Sequence, residues 1–208
     1  MIFKETVSSE EELRTLLGTP SKNVANKVIH HVDHHCKDFI AKSPILFIST
    51  SDANGNCDTS PRGDAPGFVH IIDQQHIVIP ERPGNKRIDS LRNIIANPHV
   101  GLIFVIPGLE ETLRINGKAC IIKDSDILEK MAVHGKVPSL GIGVQVEECF
   151  IHCAKAFKRS KLWYPETWAS KDQLPYPPQI LADHINLPDV NSETIHTSLE
   201  ESYSKRLY

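Results

Sequence analysis

Arg82, Lys86, Arg87 and Arg92 place four cations inside the stretch ERPGNKRIDSLRNIIANP, residues 81–98, of a chain whose formal net charge is -3. The stretch follows the strand-like run HIVIP (76–80), passes through a loop containing Gly84 and Asn85, and enters a helix-like run near Lys86. Free backbone N–H groups and the positive end of a helix dipole favour an anion at such a junction. Lys86 adds a point charge, and Arg87 adds a fork that matches phosphate oxygens. Asn85, Ser90 and Asn93 offer neutral donors beside them. The competing reading is a solvated basic turn, because runs of charge usually face water.

A second stretch, DTSPRGDAPGFV (58–69), carries Asp58, Ser60, Arg62 and Asp64 at alternate positions. On a strand these share one face. Pro61, Gly63, Pro66 and Gly67 thin and bend the backbone, which suits a flat ligand lying on bare peptide. The plainer alternative is a polar edge strand with a bulge.

Metal and thiol chemistry receives less support. HHVDHHC (30–36) sets His30 and His34, and His31 and His35, four apart, the spacing at which two helical histidines bind one zinc. No HExxH glutamate and no clear third ligand accompany them, so they read as helix-surface histidines and no metal site is assigned. Cys149 and Cys153 would point the same way on a strand, ~13 Å apart, and read as core thiols. The five cysteines form no CxxC pair and are expected to be reduced and mostly buried. No residue stands out as a general acid or base, so catalytic residues remain unknown at this stage.

The elements that must hold these groups follow from periodicity. Ser8 and Glu11, or Ser9 and Glu12, have capping-box spacing before Leu13, Leu16 and Leu17, and Gly18 ends that helix. A second helical stretch opens at Pro20–Ser21 and runs to Ser43–Pro44. Short runs rich in β-branched residues then lie at 45–50, 57–62, 68–72, 76–80, 100–106, 112–122 and 144–153. Turn signals sit at 52–55 and 73–75. Helices interrupt the runs at about 86–96 and 125–134. The fold class is therefore mainly β with flanking helices (α+β), built on an antiparallel barrel. From Trp163 the chain is Pro-rich, with a final helix from Ser192. The expected organisation is one structural unit in three stretches. Residues 1–43 form a helical segment packing on the barrel, 44–163 the barrel, and 164–208 an extension that wraps the barrel or a partner subunit.

Composition narrows the function. A content of 40% hydrophobic residues in 208 fills one core. The mixed charge argues against nucleic-acid binding. No apolar run approaches the roughly 18 residues of a membrane span, and the start MIFKETVSSEEEL lacks the layout of a signal peptide. The expected location is cytoplasmic.

Taken in order, DTSPRGD, IPERPGNKRIDSLRNIIANP, VGLIFVIPG, ETLRINGKA and HCAKAFKRSKLW resemble the pyridoxamine 5'-phosphate oxidase-related, FMN-binding family, and within it the subgroup with PRGD and PGNxR segments. The resemblance covers about residues 40–165. It implies a six-stranded antiparallel FMN-binding split β-barrel, found as a homodimer with FMN at the interface. It places the phosphate on Lys86 and Arg87, with Asn85 and Ser90 beside them. The strand under the flavin falls on Ser60, Pro61, Arg62 and Gly63, and Ile79 and Pro80 line the ring or ribityl region. Thr112, Leu113 and Arg114 form the strand crossing the interface. Arg159, Ser160, Leu162 and Trp163 form the element reaching the partner's flavin. The implied activity is an FMN-dependent oxidoreductase acting on an unknown small molecule. The tail YPETWASKDQLPYPPQ lacks the Arg/His cluster with which pyridoxamine phosphate oxidase itself grips its substrate, so that vitamin is not the expected substrate. The alternatives are a flavin carrier without turnover, or the same barrel holding a deazaflavin or haem.

Overall fold

The computed structural model describes residues 2–208. Three helices come first: α1 (Glu10–Leu17), α2 (Lys22–Ala25) and α3 (His34–Lys42). Strands β1 (Ile45–Ser51), β2 (Cys57–Gly63), β3 (His70–Ile71) and β4 (His76–Pro80) follow, then α4 (Asp89–Ala96). Next come β5 (His99–Val105), β6 (Thr112–Ile122), α5 (Ser125–Leu128) and β7 (Gly141–His152). Helices α6 (Lys155–Ser160), α7 (Pro177–Ile185) and α8 (Ser192–Lys205) end the described chain.

The fold class is the expected one, mainly antiparallel sheet with flanking helices. The strand count is corrected. The sheet has seven strands in the order β2-β1-β5-β6-β7-β4-β3, and it is open, ending at β2 and β3. The extra strand, β3, is short, and it follows a tight passage in which Gly67, at φ +81, brings its backbone against Ala41, where a Cβ would lie 3.1 Å from the carbonyl oxygen. Of the expected strand at 68–72, only His70 and Ile71 pair, with Val78 and Ile77.

Alternation builds the core. Leu46 and Ile48 of β1, Leu102 and Phe104 of β5, Leu113 and Ile115 of β6, and Ile77 and Ile79 of β4 are completely buried. Each such side chain contributes about 1.5–3 kcal/mol when withdrawn from water. Phe39 and Ile40 of α3 and Leu91 and Ile94 of α4 close the same core from outside the sheet.

The helix expected up to Ser43 is broken in the middle. Asn26 ends α2, and Ile29 then makes a two-way backbone bridge to Cys149 of β7, with N···O distances of 3.0 and 2.7 Å. Pairing with a strand satisfies these groups better than another helical turn. The chain re-enters helix at Asp33, whose side chain accepts from the Cys36 N–H at 2.8 Å. His30 and His31 therefore lie outside α3, and neither expected i, i+4 histidine pair exists. The thiols also differ from expectation. Cys36 and Cys149 are buried, with their sulfurs 3.1 Å apart, whereas Cys57, Cys120 and Cys153 are exposed. Cys153 lies just past the end of β7 and is not in the core.

One helix of the Pro-rich tail, α7, was not anticipated. Proline at the first helical position is favourable, and α7 opens with Pro177 and Pro178. The chain leaves it through Asn186 in the left-handed region. The last helix begins where expected, at Ser192, capped by the Asn191 side chain.

Strands β6 and β7 carry a bulge at Asn116–Gly117, where Asn116 pairs with Glu148 and Gly117 with Val146, leaving Glu147 as the extra residue. A Cβ on Gly117 would sit 2.1 Å from the Gln145 carbonyl oxygen, and the next nearest atoms are also backbone. No side-chain adjustment relieves that contact. Gly117→Ala is expected to cost at least about 3 kcal/mol, a fall in Tm of roughly 6–12 °C by calorimetry. An unchanged Tm would show that the two strands separate freely here.

Candidate functional site

The loop between β4 and α4 is shaped by two left-handed residues that are not glycine, Lys86 at φ 61 and Ile88 at φ 55. Such a conformation is costly for a β-branched residue like Ile88, and it persists only where neighbouring structure imposes it. Ile88 stands at the N-cap of α4 and supplies no side-chain cap, so the first-turn N–H groups of α4 receive none from it. Asn85 accepts from the Arg87 N–H at 3.0 Å and fixes the turn just before.

This loop forms one wall of a cleft of about 540 Å³, and Ser60–Gly63 of β2 form the opposite wall. Pro80, Glu81 and Leu140 also line it. A polar tie joins the two walls. The Ser90 hydroxyl donates to Asp58 Oδ2 at 2.5 Å, Ser60 donates to the same oxygen at 3.0 Å, and Arg62 Nη2 donates to Ser90 Oγ at 3.2 Å. One turn on, Asn93 donates to Thr50 Oγ1 at 3.0 Å. Ser90 and Asn93, read from sequence as donors for an anion, thus serve as anchors holding α4 against the sheet.

Charge in the cleft is mostly balanced from within. Arg62 Nε lies 3.4 Å from Glu81 Oε2, and neither atom has a hydrogen-bond partner among the described residues. Arg82 Nε donates to Asp64 Oδ2 at 2.7 Å. Arg87 Nε donates to Asp89 Oδ2 at 2.8 Å, and that bond raises the Arg87 pKa above its ordinary value. Among the described residues, Lys86 makes no side-chain hydrogen bond or ion pair, which leaves it as the cation free for a ligand in the loop.

Nine expected site residues come together here: Ser60, Pro61, Arg62, Gly63, Pro80, Asn85, Lys86, Arg87 and Ser90. Five do not. Ile79 is fully buried and points into the core. Thr112 is buried at the start of β6, paired with His152. Arg114 is exposed on β6, its guanidinium 5.7 Å from the Phe150 ring centre. Arg159 lies on α6, and Trp163 stacks on Phe157 and donates to the Leu109 carbonyl at 2.9 Å.

Sequence reasoning gave Glu81 no role, counted Arg82 only among the cations of the anion stretch and Asp64 only among the alternating polar residues, and did not pair them. Arg82 lines the main cleft and two neighbouring cavities of about 330 and 380 Å³. Its partner Asp64 has a side chain only 2% exposed. Burial works against the Asp64 charge, but hydrogen bonds from Tyr208, the Ala65 N–H and Arg82 outweigh it and hold the carboxyl below its ordinary range. Tyr208 Oη donates at 2.7 Å to the second Asp64 oxygen, and this bond pushes its own pKa up.

A family model for pyridoxamine 5'-phosphate oxidase matches residues 32–153, more than half of the chain. The chain belongs to this family. Solved structures resemble part of the chain at low identity. HupZ of Group A Streptococcus is 20% identical over 57% of this chain and 92% of its own, with a TM-score of 0.47. An FMN-binding protein of Syntrophomonas wolfei is 10% identical over 56% and 83%, with a TM-score of 0.45. HutZ, a haem storage protein of Vibrio cholerae, is 14% identical over 58% and 93%, with a TM-score of 0.43. No curated protein sequence matches this chain. No helix among the described residues is long and apolar enough to cross a membrane.

The Asp64 pair gives a pH signature. A carboxyl with a depressed folded pKa contributes stability above its unfolded value near pH 4, and that contribution is lost as pH falls through the folded value. Asp64→Asn is expected to lower stability by about 2–4 kcal/mol at pH 7, because it leaves Arg82 half-buried and unpaired. The Tm difference from the unaltered protein should shrink as pH falls below about 4. A gap that stays constant down to pH 2 would refute the ionised pair.

Proposed function

We propose that this chain is an FMN-binding flavoprotein and an FMN-dependent oxidoreductase acting on a small molecule. The observation that carries the reading is the unpaired Lys86 beside the uncapped first turn of α4, at one end of a cleft whose far wall is bare strand. A phosphate fits there: it would meet one free ammonium, oriented backbone N–H groups and the exposed Arg87. Pro61 and Gly63 offer little side-chain relief on β2, which suits a flat ring system. The cleft volume falls within the common range for cofactor sites of about 300–1,000 Å³.

When bound, FMN would supply two-electron transfer at its ring. The residues of this chain would hold and tune it. Lys86 and Arg87 neutralise the phosphate, and Asn85 keeps the loop in its strained form. Arg62, fixed by Ser90 and the Pro61 carbonyl, presents a cation to the cleft. The tail has no Arg/His cluster for a substrate phosphate, so the substrate is not expected to be pyridoxamine phosphate.

The protein should act as a homodimer. Register aligns Pro61, Phe47, Ile103, Arg114 and Phe150 in one row across five of the sheet's strands counted as β2, β1, β5, β6 and β7. Phe47 and Ile103 are 40% and 41% exposed on that outer face. A row of this kind on a sheet marks a partner surface. A second copy on this face would also give Arg114, Arg159 and Trp163 a way to reach a cleft that they do not line in their own chain.

Purified protein mixed with FMN and desalted is expected to keep the visible bands of oxidised flavin. Lys86→Ala/Arg87→Ala should weaken FMN binding about 10- to 100-fold, a loss of about 1.4–3 kcal/mol. A protein that never retains FMN would overturn the assignment and direct the search to haem or a deazaflavin. Retention with no turnover of nicotinamide, quinone or nitro substrates would favour a carrier.

Light scattering should find a dimer, and Phe47→Glu should convert it to monomer. A dimer indifferent to that change would exclude this face.

A further inference from the structure

Cys36 and Cys149 lie 113 residues apart in the chain, yet Cys149 donates its S–H to Cys36 Sγ at 3.1 Å. A thiol buried among aliphatic side chains is ordinarily inert. This pair differs because each sulfur has the other as its neighbour. Both backbones are fixed where they meet. The Asp33 side chain accepts from the Cys36 N–H at 2.8 Å. Cys149 exchanges two backbone hydrogen bonds with Ile29 and stands opposite Ile115 of β6. The contact therefore joins the first turn of α3 to β7 at a defined place, and a bond needs only about 1 Å of closure.

The two thiols are not equivalent. Cys36 stands at the start of α3, where free backbone N–H groups favour a thiolate. It keeps 6% of its surface exposed, and Cys149 keeps none. The bond from Cys149 draws the Cys36 pKa below its ordinary value. Donating that bond, together with burial, pushes Cys149 up. One sulfur is thus poised as a nucleophile, and the other waits behind it as a protonated thiol. So little exposed surface admits a small oxidant and turns away a peptide or protein disulfide.

We propose that Cys36 and Cys149 form a site of oxidative modification, at which a small hydroperoxide converts the two thiols into one disulfide joining α3 to β7. The Cys36 sulfur, as thiolate, attacks the terminal oxygen of the hydroperoxide, and the O–O bond breaks. Cys36 becomes a sulfenic acid. The leaving oxygen takes up the proton that Cys36 gave away and departs as an alcohol, or as water when the oxidant is hydrogen peroxide. The Cys149 sulfur then attacks the Cys36 sulfur. The S–S bond forms as the S–O bond breaks, and hydroxide leaves with the Cys149 proton as water. The two sulfurs lose two electrons, and the hydroperoxide gains them. A link across 113 residues restricts the unfolded chain far more than the folded one, so it stabilises the fold.

The experiment adds hydrogen peroxide to the full chain, denatures it, blocks the remaining thiols with N-ethylmaleimide and maps the peptides without reductant. The expected product is a linked Cys36–Cys149 peptide pair, lighter by two hydrogens than the separate peptides and absent after dithiothreitol. The oxidised protein should melt at least about 5 °C above the reduced one. Cys149→Ser should strand the sulfenic acid on Cys36, where dimedone captures it. Cys36→Ser should leave Cys149 a free thiol. Both cysteines recovered as maleimide adducts, Cys36 carried on to sulfinic acid beside a free Cys149, the reverse pattern in the two variants, or a linked protein whose Tm is unchanged or lower would each overturn the proposal. If either variant does not fold, peptide mapping of the unaltered chain still decides. Neither cysteine lines the main cleft, and the test is run without FMN, so its outcome is separate from that of the flavin reading.

Discussion

Ser90 has one hydroxyl proton, and it goes to Asp58. That bond, with Arg62 donating back to the same serine oxygen, joins the first turn of α4 to strand β2. Ser90 is 2% exposed, so these polar atoms are withdrawn from most competing water. The cleft exists because the helix starts where this tie holds it. Leu91 and Ile94 then seat the helix in the core, and Asn93 and Asn97 repeat the fastening on Thr50 and Ser51. The strained turn at Lys86 and Ile88 is held by the residues after it, which are fastened to β2 and seated in the core. Local strain in the loop and order in the helix are therefore two aspects of one arrangement.

Much of this was legible in the chain. Strands β1, β2, β4, β5 and β6 fall within a residue or so of their β-branched runs, because half-buried strands must alternate and the turns between them carry Asp, Asn and Gly. Lys86 and Arg87 were readable because a strand, a Gly-containing loop and a helix start follow in order. What escaped was longer in range. Nothing local reveals that Ile29 would bridge to Cys149 and so divide a helix, since the competing partner lies 120 residues away. Equally, nothing local reveals that Glu81 and Arg82 would meet Arg62 of β2 and Asp64 just beyond it. The buried position of Ile79 follows from its neighbours. Val78, Ile79 and Pro80 are all buried, so alternation gives no guidance there.

The tail shows a different limit. Proline-rich sequence usually signals extended chain, yet α7 uses two prolines where a helix needs no donor. The return of Tyr208 to the β2–β3 loop has no local signature, because a lone tyrosine after a helix has no pattern to detect. Its partners, by contrast, sit in the most patterned part of the chain, one residue after Arg62-Gly63 and one after Glu81.

Arg82 separates three chambers that share no other common wall residue. It behaves as a partition hung from one edge and latched by Asp64. Strands set the distance between the outer walls, and this side chain takes part in every division of the enclosed space. A shorter residue at this position would remove a wall from all three chambers at once, while Glu81, Pro83 and Leu140 still stand between two of them and Phe68 beside the third. The volume open to a ligand in any one chamber is thus tied, through one guanidinium, to the ion pair that holds it.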